Sequence, residues 1–247
     1  MISIRKSQQR PADRRRKQEV WNTFDPDAPV KGARTPERLN EDWLPPGAGF
    51  SHHHHDGEMV TYVHEGALAY EDSMGRSGII QAGEFQRMTV QRSLRHSETN
   101  ASRTLWAHAF QLWLRPAQPG LELDREQKRF SAAQRRGALC VIASPDARRG
   151  SLHLHQDALL YSALLAPGQH VAHELPAGRR VWVHLVIGRV TLGGDYVLST
   201  GDGASLIDER VLSLTAAEES EVLMLDVGPH QSDGPLQNDA AAKTQAA

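Results

Sequence analysis

An all-β fold of two tandem barrels is what this chain predicts, on three observations. Helical patterning is scarce. Short apolar runs rich in β-branched residues recur, cut by Gly, Pro and Asp, as in sandwiches and barrels. The stretch 61–83 is also echoed by 183–203. Each reads as strand, Gly turn, strand, tight turn, strand, then a second turn at Gly83-Glu84 or Gly201-Asp202, as a duplicated unit would.

The elements follow in order. In the first half, Met59–Val63, Ser77–Ile80 with the turn Gln81–Gly83, and Leu105–Leu114 read as strands and turns. In the second, Leu139–Ala143, Leu159–Leu165, Val181–Ile187, Val190–Leu192 and Val222–Val227 do so. Between them, Ala117–Arg136 holds Pro119, Gly120 and the charged run Glu122–Arg129, and is the expected divide. The predicted organisation is an N-terminal barrel over 1–120, which holds the candidate site residues, a linker over 121–136 and a C-terminal barrel over 137–228, expected to lack that site. A polar, Ala-rich tail over 229–247 has little to bury and is expected to be disordered. A chain of 247 residues is long enough for two such domains.

Composition narrows the function. Hydrophobic residues make up 39% and charged residues 23%, enough for packed cores. A net charge of -2 gives no global pull toward nucleic acid, whose direct partners are strongly basic. The cluster Arg10, Arg14, Arg15, Arg16 and Lys17 reads as a solvated surface segment, with an anion- or partner-binding patch as the alternative. One cysteine, Cys140, permits no intrachain disulfide, as the reducing cytoplasm allows, and reads as a small core residue, with a redox role as the alternative. Residues 1–16 lack the apolar segment of a signal peptide, and no apolar run approaches the roughly 18–20 residues that span a bilayer, so no membrane association is expected.

The chemistry concentrates in two pairs. Four consecutive histidines, His52–His55, lead through Glu58 into the strand Met59–Val63. Alternate side chains of a strand share a face, so His52 and His54 project together, and His53 and His55 to the other side. His96 and Glu98 have the same spacing. Three imidazoles and one carboxylate converging on a point suit iron(II), nickel, manganese, copper or zinc. With open positions they suit non-haem iron particularly. His153 and His155, and His170 and His173 beyond them, lack a carboxylate-bearing second pair; His64, His108, His184 and His230 read as structural or surface residues.

The run His52-His53-His54-His55-Asp56-Gly57-Glu58-Met59-Val60-Thr61-Tyr62-Val63, followed by Glu65-Gly66, resembles the signature of the pirins, a branch of the cupin superfamily. Glu71–Gly78 resembles the turn that follows, His96-Ser97-Glu98 the second metal motif, and Gln111-x-Trp113 the strand closing the first barrel. Ala143–Asp146, Gly150–Leu152, His155–Ala158 and Gly201–Ala204 resemble the bacterial pirin C-terminal domain. The resemblance implies two tandem cupin barrels (double-stranded β-helix or jelly-roll) forming a bicupin. It implies one divalent metal, iron(II) first, held by His52, His54, His96 and Glu98. Glu58 falls at the carboxylate of the general cupin motif, but the pirin pattern moves the ligand to Glu98. Glu58 then becomes a residue beside the ligands or in the barrel wall, with direct ligation as the alternative. The sequence departs from the pattern at His53, usually Pro, at His55, usually basic and here beside the site, and over Val90–Arg95, where larger residues replace a glycine-rich approach.

Several pirins resemble quercetinases. That implies oxidative cleavage of a flavonol such as quercetin by dioxygen, with Glu98 taking the substrate hydroxyl proton. Val60, Tyr62 and Met88 would form the apolar wall around a small aromatic substrate. The other implied reading is a non-catalytic, redox-sensitive iron protein acting through a protein partner; a third is a degenerate metal-storing cupin.

Overall fold

The computed structural model describes residues 1–9, 12–13, 19–22, 38–53, 56–91, 94–115 and 120–228, by backbone alone at 12–13, 19–22 and 52–53. His54, His55, Arg92, His230, the basic side chains of 10–17 and the tail 229–247 lie outside these residues. Two barrels of the same design follow one another. In the first, a seven-stranded sheet runs in spatial order Arg125–Arg129, Glu84–Val90, Gly57–Glu65, Ala107–Leu114, Arg38–Leu44, Glu19–Asn22 and Ala12–Asp13. It packs on a four-stranded sheet ordered Gly49–His53, Arg95–Asn100, Ala67–Asp72 and Ser77–Gln81. In the second, the large sheet runs Ile2–Arg5, Gly203–Ile207, Arg180–Ile187, Ser220–Val227, Ala158–Leu165, Cys140–Ser144 and Leu152–His153. Its small sheet runs His170–Glu174, Val211–Ala216, Arg189–Leu192 and Tyr196–Ser199. The duplicated strand order matches the echo in the sequence.

The turns repeat as well. Gly66 and Gly188 close equivalent strand connections at φ +75° and +98°, a region that L side chains rarely adopt. A Cβ would also meet the Trp106 carbonyl oxygen at 2.7 Å in the first case and that of Glu219 at 2.4 Å in the second. The duplicated hairpin therefore depends on glycine twice.

Two elements lie outside the expected boundaries. Ile2–Arg5 pairs with Gly203–Ile207, so the start of the chain completes the second barrel's sheet rather than the first. The expected linker contains the strand Arg125–Arg129, which extends the first barrel's sheet beside Glu84–Val90. Its acidic residues serve a purpose there: Asp124 and Glu126 accept hydrogen bonds from the fully buried Arg87. The one α-helix among the described residues, Ala132–Arg135, follows at once and is started by a capping box between Ser131 and Gln134.

The barrels meet face to face. Val60, Tyr62, Phe85, Phe110 and Leu112 of the first pack with Leu160, Trp182, Leu223 and Leu225 of the second in one continuous core. A buried polar knot sits at its edge. The Arg135 guanidinium donates to Glu221 at 2.7 Å, to the Ser162 hydroxyl at 3.1 Å and to the Tyr62 hydroxyl at 3.2 Å. Tyr62 donates in turn to Glu221, and His64 Nδ1 lies 3.1 Å from the same carboxylate. Burial pushes the Glu221 carboxyl up, but the hydrogen bonds from His64 and Tyr62 and the Arg135 charge outweigh it and hold the group below its ordinary range. Burial acts to lower the His64 pKa, but Glu221 reverses this and leaves it raised. No helix among the described residues is long and apolar enough to cross a membrane.

Candidate metal centre

The strand Arg95–Asn100 alternates in burial, with His96, Glu98 and Asn100 inside and the residues between them partly or fully outside. Two register facts bring expected site residues together. His96 stands opposite His52, and Glu98 opposite Phe50, across an antiparallel pair. Residues directly opposite are near neighbours on one face of a sheet, so the backbone brings the first and third expected ligands together. His54 lies outside the described residues.

Both side chains of the expected pair are fully buried, and His96 Nε2 lies 3.1 Å from Glu98 Oε1. Gln111, from the facing sheet, donates from Nε2 to Glu98 Oε2 and fixes the carboxylate plane. Glu98 Oε1 has no hydrogen-bond donor among the described residues. A buried anionic oxygen without a donor is costly, and a cation shared with the adjacent imidazole would satisfy it. The donor set therefore fits a divalent metal.

Sequence reasoning missed the surroundings of this pair. Gln111 is paired with Asn40 and Thr61 on neighbouring strands, and Thr61 in turn with Gln86. With Asp42 they give the first barrel a buried polar wall. Burial raises the Asp42 carboxyl well above its usual range, helped by the nearby charges of Glu98 and Glu41, which favours its protonated form. The signal available was polar residues at alternate positions of strands otherwise apolar.

The same alternation bears on three expected residues. Met59 and Thr61 face the barrel interior, so Glu58, Val60 and Tyr62 face outward, onto the second barrel. Val60 and Tyr62 belong to the interbarrel core and do not line a cavity beside His96. The Glu58 carboxylate accepts from the His155 backbone N–H at 2.9 and 3.1 Å and meets His155 Nδ1 at 2.8 Å. Glu58 is therefore a barrel-wall residue, one of the two places expected for it, and ties the barrels together; it does not stand beside His96 and Glu98. Met88 does face inward, opposite Met59, in a small apolar cluster with Val90 and Leu94. The other histidines also have partners: His108 meets Glu41 at 2.9 Å, and His184 lies buried against Phe110. Cys140 is half-buried at the margin of the interbarrel core, where burial pushes its thiol up.

The second barrel lacks the His/Glu pair. Equivalent registers place Leu212 where the first barrel has His96, and Leu214 where it has Glu98. Met224, Val183 and Ala204 replace Gln111, Thr61 and Gln86. His173 alone survives, at the position of His52.

Two cupin-type barrels in tandem, one with a buried His/Glu pair in its interior, define a bicupin. Residues 4–114 match the pirin family, and residues 141–227 match the quercetinase C-terminal cupin domain. A quercetin 2,3-dioxygenase of Escherichia coli strain K12 is 39% identical over 236 residues, spanning 93% of this chain and all of the relative. A putative quercetin 2,3-dioxygenase of Pasteurella multocida is 35% identical over 76% of this chain and 81% of its own length. The crystal structure of the E. coli bacterial pirin YhhW in complex with nickel(II) superposes with a TM-score of 0.85 at 38% identity, covering 93% of this chain and all of that one. The chain belongs to the pirin family.

Proposed function

We propose that this protein is a metal-dependent dioxygenase of the pirin type, cleaving a flavonol such as quercetin with dioxygen in the cytoplasm. One iron(II) would be held by His52, His54, His96 and Glu98. The observation that carries this reading is the buried His96–Glu98 pair, with its donorless carboxylate oxygen, set opposite His52. Full-length similarity to proteins named quercetin 2,3-dioxygenase supports the reaction, and nickel(II) in a relative supports a divalent ion.

The metal would supply Lewis acidity to the substrate hydroxyl and a site for oxygen chemistry. The protein does the rest. Glu98 takes the hydroxyl proton as a positioned general base. Gln111 keeps the carboxylate aimed, and burial, with the charges of Glu98 and Glu41, raises the Asp42 carboxyl in the same polar wall. Met88 and its neighbours offer the aromatic rings an apolar surface.

Oxygen uptake tests the proposal. Iron-loaded protein given quercetin should consume dioxygen, and consumption should stop when the metal is chelated. Inert protein with tightly bound iron would overturn the enzymatic reading and favour a regulatory one.

A further inference from the structure

A cleft of about 520 Å³ opens at the second barrel, between the outer part of its large sheet and the edge strand His170–Glu174. That volume is in the range of small-molecule sites. Its lining contains two arginines, two histidines and a tyrosine, and no carboxylate. Arg148 is engaged by Asp146 at 2.8 Å, but Arg149 makes no ion pair among the described residues. The Tyr161 ring is buried, and its hydroxyl, with no hydrogen-bond partner among them, opens to the cleft. Its ring meets His173 edge-on at 5.0 Å, and His173 is oriented by a 3.0 Å contact to the buried Asp226. Asp226 is itself held by Arg179 at 2.6 Å, so its charge is neutralised away from the cleft. Leu139, Val141 and Val171 supply the smaller, apolar share of the lining.

The loop that carries Arg149 is held in an unusual shape. Ala147 and Arg149 adopt φ values of 50° and 55°, a region disfavoured for residues other than glycine. The fully buried Ser144 hydroxyl stabilises the turn, accepting from the Arg148 N–H at 3.1 Å and pairing with Ser151 at 2.8 Å. Non-glycine residues held in such a region cluster at ligand-binding sites. Here the strain presents a guanidinium to the cleft.

We propose that this cleft binds a small carboxylate carried on a flat apolar body. Arg149 would pair with the carboxylate, the Tyr161 hydroxyl would donate to it, and Leu139, Val141 and Val171 would cover the apolar face. A guanidinium binds a carboxylate through charge-assisted, often bidentate hydrogen bonds. The site is distinct from the metal centre, since the second barrel has Leu212 and Leu214 at the positions of His96 and Glu98.

Benzoate is the probe, titrated into the full-length protein and followed by backbone amide NMR. Binding in about the millimolar range is expected for a ligand of this size. Shifts should centre on Gly137, Leu139, Arg149 and Val171, and persist in His96→Ala. Arg149→Gly suits the local φ, so it should fold, and should weaken binding about tenfold. Tyr161→Phe should weaken it less. Benzyl alcohol, the neutral analogue, should bind much more weakly. The proposal is overturned if Arg149→Gly binds benzoate as wild type does, or if the shifts disappear in His96→Ala. Inorganic phosphate binding as well as benzoate would overturn the assignment of an apolar-bodied ligand.

Discussion

Glu98→Gln is expected to accept metal yet lose roughly 10²–10⁴-fold in flavonol-dependent oxygen uptake, the range typical of removing a general base. The amide is nearly isosteric and keeps one oxygen for coordination, but it cannot take up the substrate proton at neutral pH. Gln111 adds a complication that can be reasoned through. Its amide donates to Glu98 Oε2, so the new side chain will tend to turn its oxygen toward Gln111 and its NH₂ toward His96. Metal affinity should therefore fall too, and the comparison must be made with metal in excess. A variant that is metal-replete and fully active would remove Glu98 from the proton-transfer role.

Arg135→Met is expected to be the most destabilising single change away from the metal. It removes the cation from a buried knot that includes Glu221, Tyr62 and Ser162. Stranding one member of a buried ion pair costs about 3–5 kcal/mol. In a chain of this size that lowers Tm by about 6–20 °C. The double variant Arg135→Met/Glu221→Leu should recover part of the loss, because the stranded carboxylate is removed, while His64 and Tyr62 still lose their acceptor. The penalty should also depend on pH. Glu221 titrates below its ordinary range in the folded protein, so its contribution is present above that range and lost as pH falls through the lowered value. His64 works in the opposite sense: its contribution is present below its ordinary pKa and lost as pH rises through the raised one. Urea midpoints of wild type and Arg135→Met should thus converge in acid. Equal midpoints at neutral pH would show that the knot does not hold the barrels together.

The sequence was most legible where one face of a strand is polar. His96 and Glu98 alternate with outward residues, so their spacing marks them as sharing one face, as the burial of the strand repeats. It failed where a strand is buried on both faces. Gly57–Glu65 is buried over seven consecutive residues, so nothing local distinguishes Val60 and Tyr62, which meet the second barrel, from Met59 and Thr61, which face the interior. The charged run around Arg125–Arg129 concealed a strand because it lies on a sheet edge, where solvent and Arg87 accept its charges. The return of Ile2–Arg5 to residues 203–207 is a pairing across almost the whole chain, and neither segment announces the other. The likeness of His173 to His52 is invisible until the strands are paired, since it is a property of register and not of spacing.

Metal stoichiometry is the most direct test of the central claim. Protein purified without added metal and then loaded with iron(II) should hold about one ion per chain, and His52→Ala/His96→Ala should hold almost none, because two of the few bonds that define the site are gone. Stoichiometric metal in the double variant would contradict the account.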